Sequence, residues 1–375
     1  MLRVLMIARS TMYTSPGGDT TQVLMTAKYL RKLKVHVDIK LADDVIHHER
    51  YDIIHFFNII RPDDILTHLR QGPKIVISPV FVDFSAYDKT QRRGMSGLLL
   101  RQFDDWQIEY IKSLARYAFK GDKIKSRYFL LHGQRQSVMK AALCADLLLP
   151  NSHSEQRRFE TALNKTFNYR KVVYAVDDEQ FNDSVEVNRE YANHIICVGR
   201  IEGRKNQLNL IKAVIDTPYH LTIIGKPALN QLSYYEECKA VAATCSRIKF
   251  VPHITHSELA SIYKSARVHV LPSWFETCGL SSLEAGIMNC NIVITRKGDT
   301  EEYFGDYAYY CEPDDVQSIR ESVTRAYNDP IMPGLREYIL QHYTWRLAAQ
   351  QTMDGYLSLL PEKSINKELQ QIHSL

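Results

Sequence analysis

Two doubly wound, Rossmann-like α/β domains facing a cleft are the architecture this sequence predicts. Short apolar, β-branched runs alternate with helical patterns along most of the chain, as parallel strands joined by crossover helices require. These runs form two series, divided by the polar, acidic stretch 177–193. One strand–glycine–helix junction, from Pro272 to Gly286, sets two glutamates around a turn suited to an anion.

The first series runs through 2–9, 35–41, 52–57, 74–82, 146–151 and 171–176. The second runs through 194–199, 220–225, 248–252, 268–272, 291–295 and 307–311. The boundary is expected near residue 183, giving an N-terminal domain over 1–183 and a second domain over 184–343. In such domains ligands bind beyond the C-terminal ends of the strands. The segment 344–375 opens with a capped helix in which Trp345, Ala348, Thr352, Tyr356 and Leu359 share one face, and Pro361 supplies the stop. This helix is expected to return toward the N-terminal domain, and the polar tail 362–375 to be loosely held.

A chain of 375 residues can bury two full cores. The net charge of +4 is too weak to argue for nucleic acid. The seven cysteines show no C-x-x-C pairing, and several sit in apolar runs, which predicts reduced, buried thiols in a cytoplasmic protein. The run from Val4 to Ala8 reads as a strand and not as a signal h-region. No apolar run approaches the roughly 20 residues that a membrane-spanning helix needs.

The residues that carry chemistry cluster in the second domain. Gly279 ends a turn after the strand 268–272 and precedes a helix starting near Leu280. The first amides of that helix lack helical partners and can hold an anion. Glu276 lies in the loop before it and Glu284 about one turn along, so two carboxylates able to accept sugar hydroxyls flank a phosphate-sized hole. That combination fits a nucleotide sugar. Glu276 also suits a plain helix-start acid, whereas Glu284 lies too far along for that role. The domain opens with Val198-Gly199-Arg200, then Lys205. Gly199 lets a ligand approach the backbone, and Arg200 and Lys205 bring two cations to the strand end. A solvated basic loop is an equal reading of this cluster taken alone.

The pairing of V-G-R-x-x-x-x-K with P-S-x-x-E-x7-E resembles the retaining glycosyltransferases of family 4, which have the GT-B fold. Residues 145–152 resemble that family's last N-domain strand and following serine, and Gly298 to Tyr303 its glycine-rich turn and acidic pair. The resemblance implies that Arg200 and Lys205 hold the donor diphosphate, that Glu284 binds the ribose, and that Glu276 meets a donor-sugar hydroxyl. It implies that the Gly279 and Leu280 amides face the phosphates, and that Gly17 and Gly18 admit the diphosphate or the acceptor. Asp19 and Gln22 resemble a capping box. The implied reaction moves a sugar, with retention, to a hydroxyl of a glycan or lipid-linked glycan in surface polysaccharide synthesis, with the leaving phosphate helping to deprotonate the acceptor.

The chain departs from that pattern on the acceptor side. The family's cleft histidine is missing after the fourth strand, leaving Asp83 and Tyr87 as candidates, and Tyr174-Ala175 replaces a common Asn-Gly. No D-x-D triplet occurs, so no metal or other cofactor is expected. His253 and His256 lie in a loop without nearby thiols, which disfavours a metal site there.

Between Lys112 and Lys140 stand eight Lys/Arg and one acid, Asp122, interleaved with Tyr117, Phe119, Tyr128 and Phe129. This stretch reads as a solvated helical face or as a contact with an anionic membrane leaflet, at about 1 kcal/mol per basic residue. Two rival functions suit parts of the same pattern. A dinucleotide oxidoreductase would need a G-x-G-x-x-G turn, which follows none of the strands. A non-catalytic sugar-nucleotide-binding or scaffolding subunit remains open.

Overall fold

The computed structural model describes residues 1–14, 17–69, 72–82, 103–120, 123–252 and 254–361. Two parallel sheets form from the apolar runs. The first contains β1 (Arg3–Ala8), β2 (His36–Leu41), β3 (Ile53–Phe57), β4 (Lys74–Ser78) and β5 (Leu147–Leu148), in the order β2-β1-β3-β4-β5. The second contains β6 (Ile195–Val198), β7 (Leu221–Ile224), β8 (Ile248–Val251), β9 (Val268–Leu271), β10 (Asn291–Thr295) and β11 (Tyr309–Cys311), in the order β11-β10-β9-β6-β7-β8. The central strands β3, β7, β9 and β10 are buried at every position, which is why their sequences run apolar without alternating.

The expected strand 171–176 does not join a sheet. Its start follows β5, with the Arg170 and Val172 amides donating to Leu148 and Pro150 carbonyls. The Val173 amide then turns to the Gln351 side chain and the Val176 amide to Tyr343 O, so no ladder can form.

The described residues divide into two compact units, the first containing those of 1–81, 103–174 and 345–361, the second built mainly from those of 175–344. Helices α1 (Gly18–Lys32), α2 (Pro62–Leu66), α3 (Asp105–Lys120), α4 (Arg127–Leu143) and α5 (His153–Leu163) belong to the first unit. The second holds α6 (Gln207–Val214), α7 (Leu232–Ala242), α8 (His256–Ser265), α9 (Leu280–Ile287), α10 (Thr300–Phe304), α11 (Val316–Asn328) and α12 (Leu335–His342). The acidic stretch 177–193 is strapped to the second unit: Lys264 Nζ donates to the Asp183 and Val185 carbonyls, and Ser261 Oγ to that of Glu186.

The C-terminal helix α13 (Trp345–Leu357) returns to the first unit, where it packs on α1. A buried polar contact fixes it there. His55 on β3 has Nδ1 2.7 Å from the Tyr356 hydroxyl and Nε2 2.9 Å from Ser78 Oγ. Burial pushes His55 down to about 3, so the ring is neutral and each nitrogen has one hydroxyl to match it.

In the second sheet the strand order reverses between β6 and β9, which pair directly through Ile195–Val268 and Ile196–His269. Open α/β sheets hold ligands in the crevice beyond the strand ends at such a reversal.

Candidate active site

The loops after β6 and β9 meet at this reversal. Gly199 ends β6, and the exposed Arg200 follows it. The chain then makes a tight turn over Gly203–Lys205 and a left-handed residue, Asn206, before α6. Asn206 donates through Nδ2 to the carbonyls of Pro272 (3.0 Å) and Pro313 (2.6 Å), and the Trp274 amide donates to Arg204 O. These bonds tie the first loop to the second. Across the junction Lys205 Nζ forms an ion pair with Glu276 Oε1, the lysine partly buried and the glutamate almost wholly so. Removing either partner of such a pair leaves an uncompensated charge, which costs more than the intact pair contributes.

Glu276 is held from behind by the turn 297–299. Its amide donates to Lys297 O and its carbonyl accepts from the Asp299 amide, both at 2.9 Å. Gly298 lies between them at φ +115°, and a Cβ there would fall 1.8 Å from Glu276 O. Only glycine permits this approach.

Helix α9 opens on Gly279, which is left-handed at φ +65°. A Cβ at this position would meet Ile294 Cδ1 at 3.0 Å and Ser282 Oγ at 3.2 Å, so both conformation and space select glycine. The helix has no side-chain cap and no acid in its first turn. The Ser282 and Leu283 amides bond to Gly279 O. Those of Leu280 and Ser281 have no helical acceptor, and the dipole adds partial positive charge at this end.

One turn along, Glu284 accepts a hydrogen bond from the Tyr263 hydroxyl (3.1 Å). Burial raises its carboxyl to about 7 against the opposing pull of that bond. Beneath the helix, His269 on β9 is fully enclosed and pushed down to about 3, by burial first and the Lys205 charge second. Its Nδ1 lies 3.3 Å from Ser282 Oγ. His269 Nε2 and Ser273 Oγ are both buried without a hydrogen-bond partner. Orphaned polar atoms are uncommon in protein interiors, and here two of them sit on β9 and the loop after it.

The structure thus brings together Lys205 and Glu276, and puts Gly199, Arg200, Gly279, Leu280 and Glu284 on the loops and helix at the same reversal. Gly17 and Gly18 begin α1 in the first unit. Asp83, Tyr87 and His253 lie outside the described residues. The capping box expected from Asp19 and Gln22 is corrected. Thr20 Oγ1 accepts the Gly17 amide (3.1 Å), Asp19 is bound by Arg9 at 2.5 and 3.1 Å, and Gln22 accepts from the Tyr174 hydroxyl. Asp19 Oδ1 also accepts the neighbouring Thr20 amide at 2.9 Å, and the charge-assisted, two-pronged pair with Arg9 is its stronger bond.

The supporting roles of Gly298, Tyr263 and His269 went unread in the sequence. Gly298 had a signal, a glycine three residues past the end of β10 in the turn that resembles the family's, but nothing local names Glu276 as the backbone it touches. Among the described residues no cluster of three or more His, Cys, Asp or Glu side chains could hold a metal ion. All seven cysteines are free, and six are buried.

The chain is 25% identical to a D-inositol 3-phosphate glycosyltransferase of Corynebacterium urealyticum, over 95% of this chain and 97% of that one. Its fold matches sucrose-phosphate synthase from Thermosynechococcus elongatus with a TM-score of 0.73, at 15% identity, over 96% of this chain and 99% of that one. It matches HepE from Anabaena, solved in complex with UDP-glucose, with a TM-score of 0.66, at 13% identity, over 96% of this chain and 100% of that one. Residues 178–341, which include both loops of the reversal, match the family of glycosyl transferases group 1. The match to the group 1 glycosyl transferases thus covers the second sheet with its helices, and the two Rossmann-like parallel sheets match those of GT-B glycosyltransferase structures.

Proposed function

We propose that this chain moves a sugar from a nucleoside diphosphate donor to a hydroxyl of a glycan or lipid-linked glycan in surface polysaccharide synthesis, with retention at the anomeric carbon. The observation that carries this reading is the Lys205–Glu276 pair set beside the uncapped start of α9. Cleavage of the donor's glycosidic bond leaves negative charge on the diphosphate. Lys205, Arg200 and the Leu280 and Ser281 amides would stabilise that charge from fixed positions, which is electrostatic preorganisation. Glu276, held in place by its pair with Lys205, accepts a hydroxyl of the donor sugar. Glu284 accepts the ribose hydroxyls, for which its ionised form is the better acceptor. Two cations and a helix dipole supply the positive charge, so the reaction needs no metal. The departing phosphate takes the acceptor proton, and no protein nucleophile is required.

The complex of HepE with UDP-glucose supports a nucleoside diphosphate sugar as donor. Thermal shifts with UDP, GDP, dTDP and ADP would identify the base, and proton NMR of the first product would report the anomeric configuration. Inversion would overturn the retaining path. Wild-type rates in both Lys205→Ala and Glu284→Ala would remove the site assignment.

A peripheral contact with an anionic membrane belongs to the same proposal. The α3 and α4 helices carry Lys112, Arg116, Arg127, Arg135 and Lys140 alongside the exposed Tyr117, Leu130 and Leu131. Among the described residues no helix is long and apolar enough to cross a membrane. Co-sedimentation with phosphatidylglycerol vesicles at low salt is expected, and its absence would withdraw this contact.

A further inference from the structure

Tyr263, near the end of α8, is fully enclosed, yet its hydroxyl is spent on a residue of the candidate site. It donates to Glu284 Oε2 at 3.1 Å. A buried tyrosine hydroxyl needs an acceptor, and a backbone carbonyl would serve. Here the acceptor is a carboxylate, whose ionised form the bond favours. The ring itself is locked. It meets Phe181 edge-on (centroids 5.9 Å apart, 60°) and His269 likewise (5.9 Å, 66°), and its own carbonyl accepts from Cys290 Sγ at 3.0 Å. A hydroxyl fixed in this way decides where the carboxylate stands.

Glu284 is only half-buried. Tyr263 takes Oε2, and among the described residues Oε1 has no hydrogen-bond partner. The chain thus holds the carboxylate on one side and leaves the other for a ligand. The other titratable groups on the elements packed against α9 are engaged elsewhere. On α8, Glu258 accepts the Thr255 amide, Lys264 donates to the carbonyls of Asp183 and Val185, and His256 is exposed. On β9, His269 is neutral and lies beside Ser282, and β10 carries no titratable side chain. On α12, Arg336 donates to Ile287 O and Asp183 Oδ2, Tyr338 meets the Tyr343 hydroxyl, and Glu337 and His342 are exposed. Lys205 is paired with Glu276. Tyr263 is therefore the group that orients Glu284.

We propose that Tyr263 is a positioning residue for the nucleotide, holding Glu284 Oε2 so that the carboxylate stands ready to accept the two neighbouring hydroxyls of the ribose. The proposal rests on the reading of Glu284 as the ribose acceptor. It adds a residue outside both motif segments, 21 positions away in the chain, that touches neither sugar nor phosphate.

The test is calorimetric titration of the full chain between pH 6 and 9, wild type against Tyr263→Phe, which keeps the ring and removes the hydroxyl. The probes are UDP, or whichever of GDP and ADP gives the larger thermal shift, and its 2′,3′-dideoxy analogue. In the wild type the affinity should step down below about pH 7, where the Glu284 carboxyl takes its proton. Without the hydroxyl the ionised carboxylate loses a bond, so the step should move up by about one pH unit. The preference for the ribose form over the dideoxy form at pH 7 should then shrink by about fivefold. A tyrosine that only fills space would weaken both forms alike at every pH and leave the step in place, and that result overturns the proposal. Glu284→Gln separates it from the reading beneath it. If that variant keeps the full ribose preference, the ribose reading itself falls. If it loses the preference while Tyr263→Phe leaves the step unmoved, only the positioning role falls. Should Tyr263→Phe not fold, replacement of Tyr263 by 3-fluorotyrosine decides the matter. Its more acidic hydroxyl is the stronger donor and must move the step to lower pH, and an unmoved step counts against the proposal.

Discussion

Helices α1 and α9 both open on a glycine after a parallel strand, yet they are finished in opposite ways. At α1 the Gly17 amide is taken by Thr20 Oγ1, and Asp19 in the first turn is clamped by Arg9. The positive end of that helix already has a carboxylate of the chain itself. At α9 the left-handed Gly279 brings neither a cap nor an acid, and the ion pair Lys205–Glu276 stands on the loops beside it. A helix start that is matched internally serves the fold, whereas one left open among buried polar atoms suits the diphosphate of the proposed donor. Gly17 and Gly18 would then act through their lack of side chains and not through their amides.

The sharpest way to break this contrast is Lys205→Ala. It removes the central cation and leaves Glu276 buried without its partner, and turnover is expected to fall by about a hundredfold or more in steady-state kinetics. Gly298→Ala comes next. Its Cβ would overlap the Glu276 carbonyl, so the turn must shift and displace the carboxylate. A loss of at least about tenfold in turnover, with a lower Tm, is expected.

Glu284→Gln has a smaller effect with a definite pH signature. The folded carboxyl is raised to about 7 from an ordinary 4.5, so the folded chain holds this proton more tightly than the unfolded one. Its ionisation therefore costs stability, a cost fully present above about pH 7 and absent below the unfolded value. Glu284→Gln should raise Tm at pH 8 and leave it unchanged at pH 4. In the wild type, nucleotide affinity should weaken as pH falls from 8 to 6, by up to about tenfold, and the variant should lack this step. A pH-independent wild type would detach Glu284 from the ribose.

Tyr356→Phe probes the first unit. It leaves His55 Nδ1 unmatched in the core and is expected to cost about 1–3 kcal/mol in chemical denaturation. Nucleotide affinity, set in the second unit, should stay the same. Asp19→Asn should have the smallest effect, a change within about threefold in KM for the donor, because Asp19 serves its own helix. Were it to match Lys205→Ala, α1 and α9 would be equivalent and the contrast would fail.

Much of this protein was legible in its residues, for local reasons. Strand runs carry β-branched residues because they are buried on both faces, and Gly279 stands where a left-handed turn admits little else. The V-G-R…K and P-S…E segments could be paired by resemblance, since each is contiguous. The strand expected over 171–176 failed because its partners are a helix side chain and a distant carbonyl, Gln351 and Tyr343.

What the sequence determined by itself was therefore the alternation of strands and helices, the two sheets they imply, and the residues gathered at the β6–β9 reversal. Periodicity and turn chemistry act over a few residues, and a reader can sum them along the chain. Only the tertiary structure decided what each of those residues touches. Lys205 meets Glu276 across 71 positions, Tyr263 meets Glu284 across 21, and His55 meets Tyr356 across 301. Such pairs are selected by packing and by the requirement that buried polar groups find partners, and that requirement applies only once the chain has folded.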